Sequence, residues 1–356
     1  MMKKTPGKSS ATLRDVAKLA GVSVSTASFS LNGGQSVREE TRRRIAKAAE
    51  DLNYIPNGCA RSLVTQRNLV LGVIRCIDKL GESFYAFNTT VDTYLSEMLK
   101  SIEQESVGAG YSLMVDWAST LDSTAGLPHM YEDGKVDGVM MVGGIVNDAL
   151  PARLAKRGIP TVMAGSRTDI LDWVDTDYTK AIHMAVSYLV SLGHRKIAFI
   201  NGPDISQTSA LKLRGYREGS EENGLSINEK MIRKGDFSGQ AGYDAMKSIW
   251  ADGLRPTALI TAVDSIAIGA LRFLHEKGVR CPEDVSIVGF EDGILAEYAI
   301  PPLTTVSAEK QTVGETACRL LIERILHPEC PHQQIVIEPR LVVRGSTRPL
   351  ETPRTN

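Results

Sequence analysis

From Leu69 to Val288 the sequence alternates short apolar runs with longer amphipathic stretches, and few architectures accept that rhythm. Leu69 to Ile74 is a continuous apolar run, which suits a strand covered on both faces. The pattern predicts a helix over about Val91–Ala109, stopped by Gly110. It predicts strands at Tyr111–Val115, Val136–Val142 and Pro160–Ala164, with a helix at Asn147–Arg157. Beyond these come helix Tyr178–Leu192, strand Lys196–Ile200, helix Ser209–Glu222 and helix Gly239–Trp250. Strand Ala258–Thr261, helix Ser265–Lys277 and strand Val285–Val288 complete the set. Alternation at this spacing means βαβ units, parallel sheets and helices on both faces. Such sheets bind ligands at the carboxyl ends of their strands, and two of them would place a cleft between them.

The first fifty residues follow a different pattern. Leu13, Val16, Ala17 and Ala20 recur at helical spacing behind Thr12, whose hydroxyl can cap the free amides, with Asp15 completing a short-armed capping box. Gly21 is placed to end this helix and Ser23 to start a second, running to about Asn32. Ala27 and Leu31 can pack on the first helix, while Val24, Ser25, Ser28 and Phe29 point outward. Two short helices joined by a glycine-containing turn fit a major groove. On the pair alone, an αα-hairpin within a larger helical domain fits as well. A third helix over Arg38–Asn53 turns Ile45, Ala48, Ala49 and Leu52 inward and Arg42, Arg43, Arg44 and Lys47 outward. Tyr54-Ile55-Pro56 break it, and Asn57–Leu63 could form a two-turn helix.

Charge separates the same two regions. Through Asn68 there are twelve lysines and arginines against five acids, an excess of seven, so the net charge of −1 leaves −8 on the remainder. A basic head on an acidic body is the electrostatic footprint of a DNA-binding module joined to something else. At 356 residues the chain is too long for one core at ~100–200 residues per domain.

The runs TLRDVAKLAGVSVSTASFSLNG and TRRRIAKAAEDLNYIPNGCARSL resemble the DNA-binding head and hinge of the lac repressor (LacI/GalR) family. VSYLVSLGHRKIAFINGP, SGQAGYDAM, DSIAIGALRFLHEKG and DVSIVGFEDGILAEYAIPPLTTV are similar to its effector-binding core. The resemblance implies an all-α helix-turn-helix head plus an α/β core of periplasmic-binding-protein type I, with two doubly wound parallel-sheet subdomains linked by three crossovers. The expected bounds are a head over 1–56, a hinge and linker over 57–68, a core over 69–348 and a polar tail over 349–356. Within the core, one subdomain is expected to take 69–165 plus 301–327. The other takes 166–300 plus 328–348, including a strand-like Gln333–Arg344.

The function implied is a sequence-specific transcription regulator, a ligand-controlled repressor that binds a near-palindromic operator as a dimer. Its partners would be double-stranded operator DNA, a small-molecule effector and a second copy of the chain. Thr12, Ser23, Thr26, Ser28, Asn32, Thr41, Tyr54 and Asn57 match positions that contact or place the DNA backbone. Val24, Ser25 and Phe29 match the base readers. The last is commonly arginine in the family; phenylalanine cannot grip guanine but can press on thymine methyls. Packing of Phe29 against the head's own edge is the alternative. Leu63 matches a minor-groove wedge and Ala60 the small residue that lets paired hinges approach.

In the core, Lys212, Asp264 and Glu291 match cleft positions, each in a departing neighbourhood. Lys212 replaces the usual arginine, Val263 precedes Asp264 where an asparagine is common, and Glu291 replaces an aspartate. Tyr94, Ser166, Arg167 and Asp177 could line the same cleft or be surface and packing residues. These departures suggest an effector less uniformly hydroxylated than a simple hexose, such as a modified sugar, glycoside or nucleoside.

Other classes find little in the sequence. There is no G-x-x-x-x-G-K-[ST], G-x-G-x-x-G after a strand, H-E-x-x-H or G-x-S-x-G, so no enzyme is expected. His183 and His194 are isolated, His194 suiting a helix-to-strand turn. Cys59, Cys76, Cys281, Cys318 and Cys330 are scattered, which implies reduced structural thiols and no metal or cofactor. No run approaches the ~18 apolar residues of a membrane span, and MMKKTPGKSS lacks the apolar core of a signal peptide, so a cytoplasmic location is expected. Two alternatives stay open: a cytosolic small-molecule binding protein with a vestigial head, and a regulator whose co-effector is a partner protein.

Overall fold

The computed structural model describes residues 11–31, 37–55, 67–77, 93–119, 129–143 and 149–350. The chain divides into two units, Met1–Leu69 and Val70–Asn356.

The first unit holds helices α1 (Leu13–Ala20), α2 (Val24–Leu31) and α3 (Glu39–Asp51). The capping box on α1 forms as its residue types require: the Asp15 amide donates to Thr12 Oγ1, and the Asp15 carboxylate accepts from the Thr12 amide at 2.9 Å. Gly21 closes the helix at φ 64°, a left-handed conformation that costs glycine nothing. Val16, Ala17, Ala20, Ala27, Ile45, Ala48 and Ala49 form a small common core, with Leu31, Leu52 and Tyr54 packed at its edge.

The second unit contains two six-stranded sheets. Its elements are β1 (Val70–Ile77), α4 (Thr93–Gly108), β2 (Ser112–Ser119), α5 (His129–Glu132), β3 (Gly138–Val142), α6 (Ala149–Lys156) and β4 (Thr161–Ala164). There follow β5 (Asp172–Thr176), α7 (Tyr178–Ser191), β6 (Ile197–Asn201), α8 (Gln207–Glu222), β7 (Ile232–Lys234), α9 (Gly239–Ala251) and β8 (Ala258–Thr261). Last come α10 (Asp264–Glu276), β9 (Ser286–Glu291), α11 (Ile294–Tyr298), β10 (Thr304–Ser307), α12 (Lys310–Leu326), β11 (Gln334–Ile337) and β12 (Arg340–Val342). Sheet one runs β11-β5-β4-β3-β1-β2 and is parallel throughout. Sheet two runs β12-β10-β9-β8-β6-β7 and is parallel except for β12. Strands β3, β4 and β8 are buried along their whole length, as continuous apolar runs require.

The chain passes between the sheets three times: from β5 into α7, from β10 into α12 and from β11 into β12. This corrects the expected subdomain limits. Asp172–Thr176 pairs within sheet one rather than with the 166–300 segment. Thr304–Ser307 pairs within sheet two rather than with 301–327. Gln333–Arg344, expected as one strand-like segment of the second subdomain, is two strands that join different sheets. The reason is electrostatic as much as topological. Asp172 at the start of β5 is fully buried and receives Arg324 of α12 through Nε at 2.8 Å and Nη2 at 3.0 Å. The same guanidinium donates to the carbonyls of Pro328, Cys330 and Pro331, so it fastens the returning chain beside β5.

Candidate functional site

On α2, Val24, Ser25, Ser28 and Phe29 fall within one ~140° arc at 100° per residue. Ala27 and Ser30 are buried on the opposite side. Val24 and Phe29 are 43% and 49% exposed, so packing on the head's edge does not account for Phe29. At the helix start the Ser23 hydroxyl accepts from the Thr26 amide at 3.1 Å, and it meets the hydroxyls of Ser25 at 2.9 Å and Thr26 at 2.7 Å. Three hydroxyls and the free amides of a first helical turn thus form one donor-rich end, suited to a phosphate. On α3, Arg42 and Arg43 both meet Glu39, at 3.5 Å and 3.3 Å, while Arg44 and Lys47 are exposed. Thr12 is exposed, and Thr41 and Tyr54 are half-buried. Asn32 and the hinge residues Asn57, Ala60 and Leu63, with Cys59, lie outside the described residues.

In the second unit the carboxyl ends of the strands gather a buried polar group. Lys212 on α8 is 3% exposed; its Nζ donates to the Ala262 carbonyl at 2.8 Å. The ammonium lies 4.2 Å from the centre of the Phe290 ring, 5.1 Å from Tyr178 and 5.6 Å from Phe237. Burial pushes its pKa down to about 8, against the pull of Glu291, Asp175 and Asp264. Arg214, two residues on, turns to the Thr179 hydroxyl instead.

Asp264 and Glu291 are placed differently from each other. The Asp264 carboxylate is buried and turned inward: Oδ1 accepts from the Thr305 hydroxyl at 2.7 Å and Oδ2 from the Gly293 amide at 3.0 Å. A Cβ on Gly289 would stand 2.2 Å from Oδ1, so glycine makes room for this carboxylate. Burial raises the Asp264 pKa to about 6, opposed by those two hydrogen bonds. Asp264 therefore ties α10 to β9–β10. Glu291 is half-buried, at φ 109°, and Asp292 follows at φ 54°, two successive non-glycine residues with positive φ. Such backbone costs of order 1–3 kcal/mol each and re-aims the end of β9. Asp292 accepts from Arg344 Nη2 at 2.7 Å.

Arg167, expected to face an effector, is an internal anchor. Its Nε donates to the fully buried Asp175 at 2.9 Å, its Nη2 to the Thr176 carbonyl at 2.9 Å, and its guanidinium lies 5.0 Å from the Trp173 ring. Burial raises the Asp175 pKa to about 6 despite Arg167. Tyr94 reaches from α4 to the sheet-two core, where it meets Tyr178. Ser166 is buried. Asp177 caps α7, accepting from the Lys180 amide at 2.9 Å.

Sequence reasoning misses Tyr178, Phe237 and Phe290, the three rings around Lys212. The position of Phe290 near the carboxyl end of β9 is the signal that could have found it. Among the described residues no group of three or more His, Cys, Asp or Glu could hold a metal ion, and no helix is long and apolar enough to cross a membrane. His194 is buried, accepting from Thr257 and donating to the Arg348 carbonyl, each at 3.1 Å, and burial lowers its pKa.

Residues 12–57 match the profile of bacterial regulatory proteins of the lacI family, and residues 186–347 match that of a periplasmic binding protein-like domain. The HTH-type transcriptional repressor PurR of Escherichia coli O1:K1 is 33% identical over 348 residues, spanning 94% of this chain and 96% of PurR. The chain belongs to the lac repressor family. It is similar to the lac repressor dimer bound to operator and the anti-inducer ONPF, with a TM-score of 0.80 and 26% identity. That match covers 95% of this chain and 99% of the other. It is also similar to the transcriptional regulator CelR in complex with cellobiose, with a TM-score of 0.68 and 29% identity over 94% of this chain and 99% of that one. This member of the lac repressor family is a DNA-binding transcription regulator, a ligand-controlled repressor with a helix-turn-helix head and two parallel-sheet subdomains.

Proposed function

We infer that this repressor acts in the cytoplasm, without catalysis, as a homodimer on a near-palindromic operator, with α2 of each head in the major groove. The observation that carries this is the outward pair Val24 and Phe29, 43% and 49% exposed on a helix that buries Ala27 and Ser30 on its other side. Val24, Ser25 and Phe29 read bases, and Phe29 favours thymine methyls over guanine. Ser23, Thr26, Arg44 and Lys47 hold phosphates. A second copy is seated by an apolar patch in which Ile294, Tyr298 and Ile300 are 49%, 74% and 93% exposed within seven residues.

The effector enters the cleft around Lys212, Tyr178, Phe237 and Phe290. Rings beside one ammonium suit a ligand with a planar or apolar face as well as acceptors, which supports a glycoside, modified sugar or nucleoside over a plain hexose. CelR with cellobiose and the lac repressor with ONPF are consistent with that class.

Genome-wide footprinting with the purified full-length protein tests the reading. A near-palindromic site, whose preferred bases change in Phe29→Ala, is the expected result. An unchanged preference removes Phe29 from the groove. Calorimetry with cellobiose, a nucleoside and glucose tests the cleft: tight binding of glucose that survives Lys212→Ala would refute both the ligand class and the site.

A further inference from the structure

The two subdomains also meet through space at the first residue of α8. The Gln207 side chain accepts from the Arg167 amide at 2.9 Å and donates to the Arg167 carbonyl at 3.2 Å. This is the pattern of a strand ladder, made by a side chain against backbone. Arg167 lies between β4 and β5 of sheet one, while Gln207 opens a helix between β6 and β7 of sheet two. Both halves are firmly held. Arg167 is pinned by Asp175, Thr176 and Trp173. Gln207 follows the buried Ser206, whose hydroxyl meets Thr208 at 3.0 Å.

We propose that Gln207 and the Arg167 backbone form a clasp between the subdomains, which sets how readily the cleft opens. Arg167 is thereby a positioning residue, presenting its backbone to Gln207 rather than its side chain to a ligand. The proposal rests on the reading of the cleft as the effector site. An effector shifts the subdomains only as far as its affinity differs between their arrangements, and the clasp favours one arrangement before any ligand is added. Lys212 stands on α8 five residues after Gln207, under Tyr178, Phe237 and Phe290 and within the pull of Asp175 of sheet one, so its reactivity follows how closely sheet one is held against α8.

The test is the rate at which an amine-acylating ester labels Lys212 in the full-length protein, read by mass spectrometry, with exposed Lys180 as the internal reference. Gln207→Ala is expected to label Lys212 about tenfold faster, the change expected when a pair of partly exposed neutral hydrogen bonds is lost. Gln207→Met, which fills the volume without the hydrogen bonds, should match alanine. Gln207 is exposed, so neither change threatens folding. Hydrogen exchange at the Arg167 amide should rise in step. Lys212 labelling unchanged in Gln207→Ala overturns the clasp, and so does a methionine variant that behaves as wild type. Labelling needs neither DNA nor ligand, so failure of the operator or effector reading would show separately.

Discussion

Lys212 Nζ stands 4.2 Å from the centre of the Phe290 ring, and of the described ring and carbonyl groups around it only the Ala262 carbonyl accepts its proton, at 2.8 Å. A cation held this way is compensated by ring quadrupoles and by carboxylates at longer range, which leaves part of its desolvation uncovered.

Stability should report that cost. In the folded core the amine loses its proton near pH 8, whereas unfolded it keeps it to about 10.5. Between those values the unfolded state binds more protons, so stability rises with pH. Urea unfolding at pH 7 to 10 should show the wild type gaining roughly 1–3 kcal/mol relative to Lys212→Met, since each tenfold change in proton affinity is worth ~1.4 kcal/mol. A difference that stays flat across this range would contradict it.

Asp264 titrates in the opposite sense. Its folded pKa of about 6 lies above the ordinary 3.8, so its burial is unfavourable above pH 6 and relieved as pH falls towards 4. Asp264→Asn can still accept from Gly293 and donate to Thr305, so it should stay within about 1 kcal/mol of wild type at neutral pH and lose this pH dependence. Asp264→Ala should cost about 2–4 kcal/mol by orphaning the Gly293 amide. Equal stability of the two variants would mean that the two hydrogen bonds are not made in solution.

At the crossover, Arg324→Lys keeps a charge but loses the fork that spans Asp172 and three carbonyls. A loss of about 2–4 kcal/mol is expected by chemical denaturation. A midpoint indistinguishable from wild type would show that β11 is held by strand pairing alone.

On the head, Arg44→Ala should weaken every DNA sequence alike and lower the slope of log K against log salt by ~0.9, one phosphate's worth. Arg43→Ala should do less, since Arg43 already meets Glu39. Fluorescence anisotropy over a salt series separates the two, and equal slopes would dismiss the assignment.

Legibility in the sequence follows the physics of each element. Strands such as Gly138–Val142 are buried on both faces, so their sequence is an unbroken apolar run. Asp172–Thr176 is buried just as fully yet carries two aspartates, and nothing local reveals that Arg324 and Arg167 neutralise them. Gln334–Ile337 alternates as an edge strand does, but alternation cannot say which sheet it edges. In the cleft, Lys212 is visible by resemblance. Phe237 is not, because a loop phenylalanine at φ 66° leaves no periodic trace. Arg167 reads as a cleft residue because its partners lie in a strand whose aspartates disguise it.

The threading of the last strands has a consequence during synthesis. Sheet one is incomplete until Gln334–Ile337 emerges, and sheet two until Arg340–Val342 does. At ~5–20 residues per second, a ribosome finishes the head roughly a quarter of a minute to a minute before either sheet can close. The nascent chain therefore carries a DNA reader with no working switch behind it. The patch proposed to pair two copies, Ile294 to Ile300, also emerges late, so an early head is expected to have only a single half-site's grip.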